Sequence, residues 1–456
     1  MIEVFDPGNG ELLGSVPSAS RDQVEEVLAT ASQASETART LPVHLRMSVL
    51  REVSEQLQNR HEEFARTIAT EGIKTIREAR KEVTRCVETL RISAEEARRL
   101  GGEIIAFDQM PGSENRFGYF KRLPVGVVLA ITPYNDPLNL VAHKIGPAIA
   151  AGNAVILKPH SLTPLSAKKL VELFEATELP AGILQLVTGS GAIIGDQLVS
   201  DPRVRMVSFT GGPVVGHKVL AQAGMKKISM ELGSNCPCIV MRDADMDLAL
   251  DATVSGAFWA AGQNCLHVQR IFIQKNSFED FSKRFVERTR QLKTGDKLDE
   301  ATDMGPMISA AALLKVSEFV QDAVAKGARI LTGGESEGRY HQPTVLDKVS
   351  PDCRISIEEV FGPVVALYPF GDAQEAIDLA NNVDYGLQAG VFTQDLASAH
   401  KIADALMCGG VMINDSSDYR IDAMPFGGIR GSGLGREGVS HAIHEMTETK
   451  TYCFNL

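Results

Sequence analysis

Between residues 20 and 100 the apolar positions recur at helical spacing. Long stretches such as Arg21 to Glu36 and Leu45 to Gly72 mix Ala, Leu, Glu and Arg without an internal proline, which predicts helices. Residues 115–125 (NRFGYFKRLPV) alternate apolar and polar instead and predict an exposed strand or hairpin arm. From residue 126 the rhythm changes. Short apolar runs begin at Gly126, Ala154, Ile183, Arg205 and Lys227, with helical patterns of about ten to fifteen residues between them. Strands alternating with helices at that spacing predict βαβ crossovers and a parallel sheet, the doubly wound architecture that binds nucleotides. A second series begins at Cys238, Arg270, Arg329, Val364, Gly390 and Val411, so two α/β domains are expected, joined near residues 233–237.

Composition narrows the class. A chain of 456 residues with 44% hydrophobic and 23% charged residues is an ordinary globular protein of two or three domains. The formal charge of −12 argues against a general nucleic-acid binder but leaves room for a local cationic pocket. Met1 to Ser15 contains Glu3, Asp6 and Glu11 and no apolar core, against a secretory leader. The longest apolar run, Val125 to Ile131, falls far short of the roughly 20 residues of a membrane helix. Seven cysteines, sparse and odd in number, suggest a reducing, cytoplasmic compartment.

Four motifs stand out: Thr-Pro-Tyr-Asn-Asp-Pro at 132–137, Met-Glu-Leu-Gly-Ser-Asn at 230–235, Gly-Gln-Asn-Cys at 262–265 and Glu-Glu-Val-Phe-Gly-Pro at 358–363. With Pro425 to Gly428 and Ser432 to Glu437 they are collinear, and from about residue 4 onward the chain resembles the aldehyde dehydrogenase superfamily. The resemblance implies an α/β fold. A doubly wound cofactor-binding domain would comprise 1–110 and 127–234, and a second α/β catalytic domain 235–436. A small β oligomerisation arm would comprise 111–126 and 437–456, pairing across subunits in a homodimer or homotetramer.

Oxidation of an aldehyde requires a nucleophile, so that hydride leaves from a tetrahedral adduct, and a thiolate serves best near neutral pH. Cys265, in a stretch of small residues, is the candidate. Cys86, Cys236, Cys238, Cys353, Cys408 and Cys453 read as small buried hydrophobes. The Cys236-x-Cys238 pair lacks the second pair or histidine cluster of a metal site, so no metal is expected. By resemblance, the Asn135 amide and the Cys265 backbone N–H stabilise the adduct oxygen, and Glu231 is the base that drives hydrolysis of the thioester.

Gly211-Gly212-Pro213-Val214-Val215-Gly216 follows a predicted strand and opens a helix, where backbone N–H groups suit a pyrophosphate. Family members commonly have Ser-Thr where this chain has Gly212-Pro213, so a phosphate-binding hydroxyl is missing. The resemblance assigns Glu359 and Phe361 to the nicotinamide ribose and Lys158 to the adenine ribose, and sets Thr132, Pro133, Tyr134 and Leu232 beside the cofactor. Ser161 stands where NAD-preferring members often carry a glutamate that would repel a 2′-phosphate. The cofactor is therefore NAD or NADP, with NADP tolerated or preferred.

The stretch Asn414 to Pro425 resembles the subgroup acting on lactaldehyde, phosphonoacetaldehyde and non-phosphorylated oxidation of glyceraldehyde 3-phosphate. In relatives taking anionic aldehydes, arginines at the positions of Arg85 and Arg420 face the charged end, where a planar fork binds an oxyanion bidentately. A small polar, anionic aldehyde is the expected substrate, a phosphonoacetaldehyde-like, sulfonated or semialdehyde compound, with lactaldehyde or glyceraldehyde 3-phosphate as alternatives. Asn264 in place of an arginine and Asp136 in place of a tyrosine count against the phosphorylated one. His143, His160 and His217 read as structural, and His267 as close enough to Cys265 to tune it. Three rival functions are weighed. Coenzyme A-acylating chemistry is opposed by Glu231. A Cys265–His267 thiol hydrolase is opposed by reading the pair as strand residues on opposite faces. A catalytically silent binding protein is opposed by the intact set Asn135, Glu231, Cys265 and Glu359.

Overall fold

The computed structural model describes residues 1–456. The first sheet runs in the order Gly433–Leu434, Lys227–Glu231, Val204–Thr210, Val127–Ile131, Ala154–Lys158 and Leu184–Leu186. All neighbours are parallel except the Gly433–Leu434 pair, which lies antiparallel on Met230 and Glu231. Successive strands step outward on one side of Val127–Ile131 and then on the other, so a crevice opens beyond the carboxyl ends of Val127–Ile131 and Val204–Thr210. That reversal is where open α/β sheets bind ligands. Five predicted apolar runs fall on these strands. Most residues of Val127–Ile131, Ala154–Lys158 and Val204–Thr210 are buried on both faces, as parallel strands covered by helices require.

The second sheet runs Arg329–Thr332, Thr344–Asp347, Val364–Phe370, Val268–Gln274, Cys236–Val240, Gln388–Phe392 and Gly410–Ile413. It is parallel but for its first pair. The two sheets join through Leu232 to Asn235, within the expected 233–237 region but for one residue.

Several boundaries differ from the sequence reading. Leu45 to Gly72 is two helices, Val43–Asn59 and His61–Glu71, broken at Arg60 (φ −105, ψ 22) with no glycine or proline to announce it. Strand Thr344–Asp347 is too short and too polar at its ends to stand out; its Asp347 is paired with Arg329 of the neighbouring strand. The arm is a three-stranded sheet of Gly102–Ile105, Arg116–Pro124 and Thr447–Asn455. Gly102–Ile105 thus leaves the segment assigned to the cofactor domain. Residues 437–446 leave the arm: helix Val439–Glu445 buries Val439 and Ile443 in the core beside Ile145 and Ala148.

One turn fixes the position of Cys265. Helix Ile76–Ala97 begins with a capping box between Thr75 and Glu78. The second Glu78 oxygen accepts the Ala260 N–H at 2.8 Å. Ala260 (φ 50), Ala261 (φ 53) and Gly262 (φ 64) are all left-handed, a conformation that costs an L-residue about 1–2 kcal/mol. A Cβ on Gly262 would collide with the Gly362 carbonyl. Gly262→Ala is therefore expected to destabilise the fold by about 1–3 kcal/mol and to displace Gln263 to Cys265. A lowered Tm with slower alkylation of Cys265 checks this; an unchanged pair of values contradicts it.

Candidate active site

The crevice of the first sheet is a cleft of about 1160 Å³. Thr132, Pro133, Tyr134, Lys158 and Ser161 line it from the strands Val127–Ile131 and Ala154–Lys158 and the turns that follow. Gly211, Gly212 and Leu232 line it from the other side of the switch point, and Glu359 and Phe361 from the second domain. Gly216 does not line it. A Cβ there would strike the Leu232 side chain, so this glycine lets helix Pro213–Ala223 sit close on the sheet. The helix opens on the cleft with Gly212 extended (φ −66, ψ 149) and Pro213 in its first turn, leaving free N–H groups for an anion.

The lining fits a dinucleotide. Thr132 and Thr210 line the cleft and their buried hydroxyls have no hydrogen-bond partner in the protein. The Ser161 hydroxyl donates to the Gly189 carbonyl at 3.1 Å, so no carboxylate occupies this position. Lys158 is buried, which pulls its pKa down. Glu359 accepts the Ser234 N–H at 2.8 Å, over a glycine, Gly233, where any Cβ would meet its carboxyl. Burial pushes Glu359 up to about 7. The Phe361 backbone is left-handed (φ 52), and its ring meets Tyr134 edge-on at 5.9 Å.

A second cavity of about 300 Å³ adjoins the cleft. Asn135 and Cys265 line both, so the thiol stands where the two spaces meet. Cys265 lies in the turn after the strained 260–262 segment. Its Sγ–H points at Asn264 Oδ1, 3.7 Å away. Burial pushes its pKa up, against the Arg420 charge, which favours the thiolate. Glu231 ends its strand inside the cleft, 3% exposed, with both carboxyl oxygens unpartnered. Burial and the neighbouring Glu437 hold it well above the usual carboxylate range. A Cβ on Gly427 would lie 2.8 Å from Glu231 Oε1, so the Pro-Phe-Gly-Gly turn is shaped around this carboxyl.

Arg85 and Arg420 both line the smaller cavity, and both already hold carboxylates. Arg85 donates to Asp422 at 2.8 Å. Arg420 donates to Glu437 at 3.2 Å and lies 3.6 Å over the Phe426 ring. Asp136 contacts Lys74 and approaches Arg85 at 3.8 Å. Its charge is compensated, which removes the argument that it repels a phosphate.

The sequence reading missed Lys74, Lys81, Gln263 and Asp418. Gln263 is buried, accepts the Ile308 N–H at 3.0 Å and donates to Pro306 O at 3.1 Å, bracing the catalytic turn. Its place in Gly-Gln-Asn-Cys was the available signal. Lys74 and Lys81 were hidden in a basic, helical stretch that looks like a solvated face. His267 does not tune the thiol. It is buried with both ring nitrogens unpartnered, and burial pushes it down to about 3, leaving it neutral. Cys265 and His267 also lie before the strand, outside its alternation, and strand residues two apart would share a face.

The Aldehyde dehydrogenase family matches residues 1–452. Aspartate-semialdehyde dehydrogenase 1 of Pseudomonas canavaninivorans is 48% identical, covering 100% of this chain and 97% of its own. The 3-sulfolactaldehyde dehydrogenase of Priestia megaterium is 45% identical, covering 100% and 95%. Among solved structures, aldehyde dehydrogenase 21 of Physcomitrella patens, in complex with succinate, superposes with a TM-score of 0.98 at 39% identity over 100% of this chain and 95% of its own. Glyceraldehyde-3-phosphate dehydrogenase GapN of Methanocaldococcus jannaschii, complexed with NADP, gives 0.96 at 38% over 100% and 99%. The fold, the cleft and these likenesses agree, and the chain belongs to the aldehyde dehydrogenase family.

Proposed function

We propose that this enzyme oxidises a small aldehyde with an acidic tail to the carboxylic acid, with hydrolytic release. The observation that carries the reading is that Cys265 and Asn135 stand on the wall shared by a dinucleotide-sized cleft and a small charged pocket. Thr132, Lys158, Ser161, Gly211, Gly212, Glu359 and Phe361 would hold NAD(P) in the cleft, where it would supply the hydride acceptor. Cys265 Sγ attacks the aldehyde carbon. The Asn135 amide and the Cys265 N–H meet the negative charge on the former carbonyl oxygen; one such donor is worth about 3 kcal/mol of barrier. Loss of hydride leaves an acyl thioester on Cys265. Glu231 takes a proton from the water that cleaves it, returning the thiol and releasing the acid. Cytoplasmic location fits the free cysteines, and no helix is long and apolar enough to cross a membrane.

NADP is accepted beside NAD, because Ser161 carries no charge against a 2′-phosphate and Lys158 lies nearby in the same cleft. Arg85 and Arg420 line the pocket for the acidic tail, each sharing its charge with a carboxylate of the protein. The arm supports assembly as a dimer or dimer of dimers: Thr447–Asn455 pairs with Arg116–Pro124 along its whole length, yet Ile104, Phe117 and Phe454 remain exposed.

Three outcomes follow. Cys265→Ser abolishes NAD(P)H production while cofactor binding persists. Glu231→Gln retains a single burst of NAD(P)H per subunit and loses steady turnover by about 10²–10⁴-fold. In the wild type, turnover limited by deacylation rises with pH, because the raised pKa of Glu231 must be passed before it can take a proton. Full turnover by either variant contradicts the mechanism.

Arg420 acts on the thiol as well as on substrate. Its positive charge lowers the Cys265 pKa, so its removal raises it. Arg420→Gln is expected to slow alkylation of Cys265 at fixed pH and to shift the alkylation midpoint upward, with Arg420→Lys restoring part of the effect. It should then depress oxidation of neutral aldehydes too. An alkylation profile identical to wild type contradicts this.

Light scattering at micromolar concentration is expected to report two or four chains per particle. A species of single-chain mass contradicts the assembly.

A further inference from the structure

The charges around the smaller cavity do not describe a simple anion site. Three of its four cations already face carboxylates: Lys74 meets Glu82 at 2.8 Å, Arg85 meets Asp422 at 2.8 Å and Arg420 meets Glu437 at 3.2 Å. Lys81 is the exception. It lines the cavity with its ammonium 4.7 Å from the centre of the Trp259 ring, and no carboxylate pairs with it. Of the cavity's three acids, Asp136 is held by Lys74 and Arg85. Asp415 accepts the N–H of its neighbour Ser416 at 2.8 Å. Asp418 accepts the Asn264 amide and makes no ion pair, the Arg85 and Lys74 charges acting on it only from a distance. A substrate bearing only negative charge would meet arginines already committed to other groups and two aspartates, Asp415 and Asp418, that form no ion pair. Opposite charges outside ion pairs in one cavity complement a ligand that carries both signs.

We propose that the cavity selects an aldehyde bearing both an ammonium and a carboxylate, an amino-acid semialdehyde. Asp418 receives the ammonium, and Lys81, one helical turn before Arg85, receives the carboxylate. The proposal deepens the acidic-tail reading and rests on it. The placement suits the chemistry. Asp418 is linked through Asn264 to the thiol, so the ammonium lies near the reacting carbon. Lys81 is exposed, so the carboxylate, carried on the same carbon as the ammonium, would sit on the solvent side of the cavity. Burial pushes Asp418 up to about 7 against the charges of Arg85 and Lys74, and an incoming cation would add to their pull towards the ionised form. The same aspartate disfavours the unsubstituted acid, which brings a second negative charge beside it and no cation.

The test uses a matched set of substrates with the purified enzyme and NAD(P): succinate semialdehyde, its amino counterpart aspartate semialdehyde, its hydroxy counterpart malate semialdehyde, and propanal as the neutral control. Wild type is expected to prefer aspartate semialdehyde over succinate semialdehyde by about tenfold or more in kcat/KM. Asp418→Asn keeps the acceptor for Asn264 and should collapse that ratio towards one. Lys81→Met should lower kcat/KM for the acids relative to propanal. A wild type that favours succinate or malate semialdehyde overturns the proposal while leaving the acidic-tail reading intact. So does an Asp418→Asn enzyme that loses equally on all substrates, which would mean Asp418 only positions Asn264. A wild type that oxidises propanal better than every acid overturns both.

Discussion

The arrangement at the thiol depends on how one buried carboxylate, Asp422, is satisfied. It is 5% exposed and gathers Arg85 Nη2 at 2.8 Å, Asn139 Nδ2 at 3.1 Å and His143 Nε2 at 2.8 Å. These donors come from two helices, Ile76–Ala97 and Asn139–Ala151, so one side chain clamps the C-terminal segment onto both. His143 has its other nitrogen buried and unpartnered, which assigns the proton to Nε2. Burial alone would raise the Asp422 pKa; the His143 hydrogen bond and the Arg85 charge outweigh it and hold the group ionised. Removing one partner from such a buried pair costs about 3–5 kcal/mol, because the other charge is left behind without compensation.

From that clamp the segment folds over the nucleophile. The Ser417 hydroxyl donates to Leu266 O at 2.9 Å, next to Cys265, and Gln388 Nε2 donates to the Ser417 and Tyr419 carbonyls at 2.8 Å each. Arg420 is thereby set among Glu437, Phe426 and the thiol. Lys144, fully buried, meets the other Glu437 oxygen at 2.9 Å. The cationic pocket is built from pairs and could not be otherwise, since an isolated buried guanidinium would not stay in the fold. Pairing also means that the number of arginines in a site overstates the positive field a substrate meets.

How much of this the sequence displays depends on the range of the interaction. The strand runs at Gly126, Ala154, Arg205, Lys227, Cys238, Arg270 and Val364 are legible because a strand buried on both faces must be continuously apolar. Cys265, Asn135, Glu231 and Glu359 are legible as motifs, since each sits in a local backbone shape that demands its neighbours, such as Gly233 beneath Glu359. The break at Arg60 is not, because a change of backbone angle there needs no special residue. Nor is the pairing of Arg85 with Asp422 or of Arg420 with Glu437: the partners of a charge are chosen by tertiary packing, and a sequence shows the charge without its compensation. Lys81 illustrates the reverse case, a lysine on a basic helix that packing leaves as the unpaired cation of the pocket.

The proposed nucleophile, Cys265, and the proposed base, Glu231, constrain one another. Burial holds both Cys265 and Glu231 towards their neutral forms, and a charge on Glu231 raises the thiol pKa further. Two adjacent buried anions would repel strongly at low effective dielectric, so the site favours one negative charge at a time. A two-stage reaction asks for that alternation. The sulfur needs the charge while it attacks; once it is acylated it carries none, and Glu231 can then ionise and draw a proton from water without opposing a thiolate. Arg420 is set to favour the first stage, because its charge lowers the pKa of Cys265 and of Glu231 alike, while its Glu437 partner opposes ionisation of Glu231. The desolvation that holds the resting thiol neutral is thus the same feature that, in the proposed reaction, keeps acylation and deacylation from competing.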